Sequence, residues 1–491
     1  MCNDENSLTH SDLTFLETLN QYTLDSKLTI CQMYASRIMS MSEVSNEYIL
    51  MQNITPWELE AFAAFSVIYD DPDATAQITG DIFENIITLI RNYWHPELTL
   101  AEENGTYADV FMMISMIQQF PTQGMFLQKM FRYDYFFRFK NENVNMEEEF
   151  IKAFGVEYQK FEVFAFIVFV SCSIDAQKKA GREQCNKGLE KAFSIPGVLS
   201  QLKVTLDGYK ELLHSQYKGN VLDYYYGIKI QYLYPFIEGE NFIYMPSPYL
   251  VINAVTESML NRLTLGNSKL RKKLGKEVIE EYLYSIYKEN PSVTWISREF
   301  EYKKDKKTIL TPDVLVEEHN CALLFDTKAL VPSLKMRQFD KEEIKRETET
   351  YADDILQIYQ RILDLQAGYY KLGNTFEQNA VFGVVVVLED AAIAKHSVYE
   401  KVFAKLSEKA LDDTPEVRNY IQSHIKVVPL SQIEQTVLIG HSYMECLQNQ
   451  VNDHKMWNNY TFFIPKEDFN CISSFRAFEK GLKESVADVL K

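Results

Sequence analysis

The stretch TPDVLVEEHNCALLFDTKAL, residues 311–330, carries two aspartates and a lysine on what otherwise reads as two apolar strands. The runs VLV and LLF flank a short polar turn centred on His319 and Asn320, the pattern of a β-hairpin. Pairing across that turn sets Glu318 against Cys321 and, at the open end, Asp313 against Asp326. Directly opposed Cβ atoms of an antiparallel pair lie about 4.5–5.5 Å apart, so two carboxylates are forced together. Lys328, two residues beyond Asp326, projects from the same face because side chains alternate along a strand.

Like charges held that close destabilise the pair unless something positive sits between them, and a divalent cation with hard oxygen ligands does this well. The alternative for the hairpin alone is an end at which all three charges reach water, with Lys328 as an ordinary counter-ion.

Upstream, SKLRKKLGKEVIEEYLYSIYKEN has helical periodicity, followed by VTWISREFEYKK and then KTILTPDVLVEE, rich in β-branched and aromatic residues and joined by the turn DKK. Downstream comes a charged helix over about 340–371 and then AVFGVVVVLED, an apolar run short enough for a strand covered on both faces. A further strand is expected at HIKVVPL, with helices around 432–451 and 474–490. The order is helix, three strands, helix, strand.

Pro312-Asp313, then Asp326-Thr327-Lys328 at the end of an apolar strand, resembles the bipartite signature of the PD-(D/E)xK nuclease superfamily. The order of elements over residues 265–390 resembles that superfamily's restriction-endonuclease-like α-β-β-β-α-β core. The resemblance implies that Asp313 and Asp326 ligate Mg²⁺ or Mn²⁺, with the carbonyl of Thr327 as a further ligand. Lys328 then orients or activates the attacking water and stabilises charge on the phosphate. A glutamate from the preceding helix joins them. Glu280 is chosen; Glu277 and Glu281 stay open, since adjacent helical residues point about 100° apart. Glu301 is a further acid to weigh. Gln357, Gln360 and Arg361 on the following helix could contact water or phosphate, or form an exposed face; Lys345 and Arg346 are equally ambiguous.

Composition bounds the rest. The chain has 491 residues, 46 % of them hydrophobic, enough for a full core and for more than one domain. Residues 1–245 show helical periodicity and 1–150 hold most of the net charge of −19, with 23 acidic against 7 basic residues. That region cannot easily follow a phosphate backbone, so a protein partner, a second copy of the chain or its own basic surface is expected there. Within 261–310 the sign reverses, with 12 basic and 7 acidic residues, and Lys272, Lys273, Lys303 and Lys304 become candidates for nucleic-acid binding. RNYWH, residues 91–95, sets an arginine and a histidine closer together than the ribonucleases of the HEPN group do, which favours a surface helix. The seven scattered cysteines form no CxxC, arguing against a disulfide framework or structural zinc. No apolar run is long enough for a membrane span and the N-terminus lacks a signal-peptide pattern, so a cytoplasmic protein without membrane contact is expected. Phosphate-loop, GxSxG and HExxH motifs are absent.

The fold class expected is α+β or α/β: a helical accessory region at 1–245, a nuclease-like domain at 246–435 and a helical extension at 436–491. The resemblance implies a metal-dependent phosphodiesterase acting on DNA, of the kind that serves as a bacterial or phage-defence effector restrained by a sensor region. A catalytically silent nucleic-acid or protein-binding module on the same fold, and a ribonuclease, are the alternatives.

Overall fold

The computed structural model describes residues 17–40, 54–91, 125–177, 182–216, 230–240, 242–331, 341–389, 393, 395–450 and 470–491. Asn92 to His95, and with them the arginine–histidine spacing, lie outside the described residues. The chain is a mixed helix-and-sheet protein in two compact units. Among the described residues no helix is long and apolar enough to cross a membrane.

The first unit comprises 1–111, 148–263 and 482–491. Helices dominate it, including Pro56–Ile68 and Tyr158–Gln177. The former starts as its sequence dictates: Pro56 occupies the first turn, where a missing N–H costs nothing, and Glu58 accepts from the amide of Thr55 at 2.7 Å to close a capping box. The unit also holds a three-stranded sheet, Lys203–Thr205, Phe236–Glu238 and Ile243–Tyr244, which the helical periodicity had not announced.

The second unit comprises 112–147 and 264–481. Its elements are helix α1 (Glu280–Glu289), strand β1 (Val293–Arg298), a ribbon of β2 (Glu301–Lys304) and β3 (Lys307–Leu310), strands β4 (Val314–Glu318) and β5 (Cys321–Lys328), helix α2 (Lys341–Gln366), and strands β6 (Val381–Val387) and β7 (Ile425–Pro429). The sheet runs β7-β6-β5-β4-β1. β1, β4 and β5 are antiparallel neighbours, whereas β5, β6 and β7 are parallel. Every residue of β6 and β7 is buried, as parallel strands covered on both faces must be.

α2 covers one face of the sheet, packing Tyr351, Ile355, Ile358 and Ile362 against Leu315, Ala322 and Leu324. Each such fully buried side chain contributes about 1.5–3 kcal/mol of transfer free energy. Gly383 of β6 permits the close approach, because a Cβ there would lie 2.1 Å from the Ile358 methyl. On the opposite face the ring of Tyr287, from α1, meets Phe325 at 5.0 Å.

Two expectations are corrected. VTWISREFEYKK and KTILTPDVLVEE are not single strands; each breaks in the middle, and their distal halves peel away as the separate β2–β3 ribbon. The latch is local: Thr311 donates its amide to the Phe300 carbonyl at 3.0 Å and accepts the Phe300 amide on Oγ1 at 3.0 Å, while Pro312 has no N–H to offer a ladder. The compact units also divide the chain at places other than 245 and 435. Helix Phe126–Arg138 belongs to the second unit because its Arg132 is buried there between Glu389 and Glu434, and 250–263 belongs to the first.

Candidate active site

The hairpin adopts the register expected from its sequence. Pairs run from Val314–Phe325 to Glu318–Cys321, and the turn residues His319 and Asn320 both take left-handed φ, 48° and 58°. Such mirror-image turns match the right-handed twist of strands, and asparagine tolerates the conformation better than most residues. The ladder ends at Val314–Phe325, and the next residue on each arm is an aspartate, Asp313 and Asp326, close enough for the charge of one to act on the other. Asp313 Oδ2 accepts the Thr327 amide at 2.6 Å and the Thr327 hydroxyl at 3.0 Å.

Burial and then the neighbouring Asp326 push the Asp313 carboxyl up to about 7, against the two hydrogen bonds from Thr327. Asp326 is only 5 % exposed, and its Oδ2 lies 2.7 Å from Lys328 Nζ. Burial works against the charge on Lys328, but Asp326 and Asp354 outweigh it and hold the ammonium above its usual range.

Glu280 is pushed up to about 9, first by burial, then by Asp313 and Glu299. The other two glutamates of its helical stretch are engaged elsewhere. Glu277 accepts from the side chains of Asn141 and Asn143, and Glu281 is held by Arg298 through bonds of 2.6 and 2.7 Å. A π turn, Leu274–Ile279, immediately precedes Glu280 and sets the direction in which it leaves the helix.

Two carboxylates escape the sequence reading. Asp354 of α2 has Oδ1 3.5 Å from Lys328 Nζ, is 9 % exposed, and has on Oδ2 no hydrogen-bond partner among the described residues. Burial pushes it up to about 6. The helical spacing could have found it: Gln357 is one turn further along, on the exposed side, and an acid at the preceding turn was the better choice for a helix packed on the DxK strand. Glu299 sits at the bend after β1, 3.8 Å from Lys276. Glu301, weighed in its place, is exposed on the ribbon opposite Leu310.

The remaining candidates fall outside the cluster. Gln360 is half-buried, and Arg361 approaches Asp364 at 3.9 Å. Lys345 is exposed, and Arg346 pairs with Glu343 and Glu347 on its own helix. Lys272 and Lys303 are exposed; Lys273 donates to the Asn143 carbonyl at 2.6 Å. Lys304 is turned inward onto Asp364 at 2.5 Å, so it is not a free contact for phosphate. Arg271, beside the lysines singled out, instead braces the end of β5 by donating to the Ala329 carbonyl at 3.0 Å.

The cluster therefore joins Glu280, Asp313, Asp326 and Asp354 through their mutual electrostatics, with Lys328 as the ammonium that touches it. Among the described residues no three carboxylate, histidine or cysteine side chains are already gathered at ion-binding distances round one point. The donors are hard oxygens whose charges repel one another, so in chemistry the set suits a divalent cation, without forming a finished cage. No protein-family model, curated protein or solved structure matches the chain.

Proposed function

We propose that the chain is a divalent-cation-dependent nuclease that hydrolyses phosphodiester bonds in DNA. The observation that carries this is the gathering of Asp313, bonded to Thr327, with Asp326 and Glu280, whose charges act on one another, and Lys328 2.7 Å from Asp326. Carboxylates held together at such cost to their own ionisation are a marker of functional sites. Asp313, Asp326 and Glu280 would hold Mg²⁺ or Mn²⁺, with the Thr327 carbonyl as a further donor. A cation so placed supplies Lewis acidity towards phosphoryl oxygens and a hydroxide nucleophile near neutral pH.

The chain's own groups divide the remaining work. Thr327 fixes the rotamer of Asp313 through its amide and hydroxyl. Lys328 directs a positive charge at the scissile phosphate, where negative charge builds during displacement. Asp354 holds Lys328 from the helix side, 3.5 Å from its ammonium. It is a positioning residue. The effector reading, in which the first unit restrains the cutter, rests on analogy of layout.

The test is cleavage of plasmid, linear duplex, single-stranded DNA and RNA by the purified full chain, with Mg²⁺, Mn²⁺ or EDTA, beside Lys328→Ala. Metal-dependent DNA cutting by the wild type that disappears in the variant is expected. Cutting that persists in Lys328→Ala, or a wild type inert on every substrate, overturns the proposal; cutting confined to RNA makes the enzyme a ribonuclease.

A further inference from the structure

The β2–β3 ribbon is inserted in the chain between β1 and β4, which pair directly in the sheet, and its second strand leads through Thr311 and Pro312 directly into Asp313. Two-stranded ribbons are marginal on their own in water. This one is pinned at its base by the Phe300–Thr311 latch and along its length by a buried acid. Asp364 of α2, 1 % exposed, accepts from the Tyr302 hydroxyl and from Lys304, with Arg361 close by. Tyr302 and Lys304 share a strand face by alternation, so the ribbon's inner face is fastened to the helix that carries Asp354.

What the fastening presents is positive. Lys303 on the outer face, Lys306 in the turn and Lys307 at the start of β3 are all exposed, against Glu301 and Asp305. The turn itself is held in shape, with Asp305 at a left-handed φ of 56°. In a chain of net charge −19, a braced arm tipped with three free-standing lysines and rooted at a carboxylate cluster is charge-complementary to a polyphosphate backbone. The one ring on the ribbon itself, Tyr302, is buried; the neighbouring Tyr369, whose centroid lies 5.3 Å from the Lys304 ammonium, is 41 % exposed but belongs to another segment. Single strands are gripped chiefly by rows of exposed rings, and the arm carries lysines instead, which suits the backbone of a duplex.

We propose that the β2–β3 ribbon is a rigid arm that seats the phosphate backbone of double-stranded DNA through Lys303, Lys306 and Lys307, and so delivers the duplex to the carboxylate cluster. The inference rests on the nuclease reading for its purpose, but its test is separate.

Labelled duplex DNA and single-stranded RNA are titrated by anisotropy with the full chain in Ca²⁺ across a range of salt, for the wild type and for the triple variant Lys303→Ala, Lys306→Ala, Lys307→Ala. Each phosphate contact contributes about 0.9 to the slope of log affinity against log salt, so the triple variant is expected to flatten the duplex slope by about 2 to 3. Lys306→Glu alone, at the turn, is expected to weaken duplex binding further than Lys306→Ala. Duplex affinity and slope equal to wild type in a folded triple variant overturn the arm, as does a loss confined to RNA. If the wild type never cuts but the slope falls as stated, the arm stands and the nuclease reading fails.

Discussion

The second unit contains two clusters of buried carboxylates that are chemically alike and electrostatically opposite. Around Arg132, itself wholly buried, Glu434 receives a bidentate guanidinium at 2.7 and 2.8 Å and the Tyr282 hydroxyl at 2.7 Å, and Glu389 lies 3.4 Å from the same guanidinium. The fork geometry of arginine meets the carboxylate plane, and each acid has a donor directed at it. At the hairpin end, by contrast, Asp326 and Asp354 share the ammonium of Lys328, while burial, and then the neighbouring carboxylates, push Glu280 and Asp313 upward. In the first, complete cluster both acids meet the guanidinium; in the second, incomplete one Asp326 and Asp354 share one ammonium while Asp313 and Glu280 are held above the usual carboxyl range, which separates a structural ion network from a candidate site more sharply than burial does.

The largest effect should come from breaking the complete cluster. Arg132→Met leaves Glu389 and Glu434 buried without their cation, and removal of one partner from a buried network costs about 3–5 kcal/mol. Loss of the cooperative thermal transition, or a fall in Tm of roughly 10 °C, is expected; a variant melting like wild type would mean that the network contributes little. By the same reasoning a chain lacking residues 1–245, which discards Arg132 and most of the first unit, should be destabilised at least as much.

In the incomplete cluster the same kind of change should harm catalysis and spare the fold. Asp354→Asn removes the second anchor of Lys328, and by analogy with supporting carboxylates at metal sites a loss of about 10- to 100-fold in kcat is expected. DNA affinity should stay unchanged, and Asp354→Glu should restore part of the rate. An equal loss in binding would point to a phosphate-side role instead.

A smaller effect concerns pH in the metal-free protein. Asp313 and Glu280 bind their protons more tightly folded than unfolded, near 7 and 9 against an ordinary carboxyl near 4. The stability they contribute is therefore fully present below about pH 4 and is lost as pH rises through those folded values. Asp313→Asn should accordingly raise the metal-free Tm above pH 7 by roughly 2–4 °C, as a gain near 1 kcal/mol would. Mg²⁺ should raise the wild-type Tm and leave that of the variant nearly unmoved. A metal-free Asp313→Asn protein less stable than wild type at pH 8 would show that the Thr327 hydrogen bonds outweigh the repulsion.

Much of the incomplete cluster is legible in the linear sequence, and the complete one is not. Asp313, Asp326 and Lys328 follow from the period of a strand and the centre of a tight turn, both local properties. Asp354 required knowing which side of α2 meets the sheet, and that is fixed by Ile355, Ile358 and Ile362 docking on β5 and β6. Glu299 required the bend that Thr311 and Phe300 create across the ribbon's base. Arg132 reaches partners 257 and 302 residues away, a distance over which no pattern of spacing carries. The ribbon was hidden for a related reason: β-branched and aromatic residues stand on both sides of each split, at 299–300 and 311–313, so each run reads as one strand until the Phe300–Thr311 latch draws the two splits together.

The π turn at Leu274–Ile279 has a consequence for how the chain tolerates change in length. Such a turn accommodates one residue more than an α turn, so deletion of Gly275 would let the backbone close up into ordinary helix. Everything on the N-terminal side, Lys272 and Lys273 included, would then keep its bearing relative to Glu280, whereas the same deletion in an unbroken α-helix would turn it by about 100°. The turn is thus one residue of slack between the basic face of this helix and Glu280, which the chain can lose without rotating one against the other.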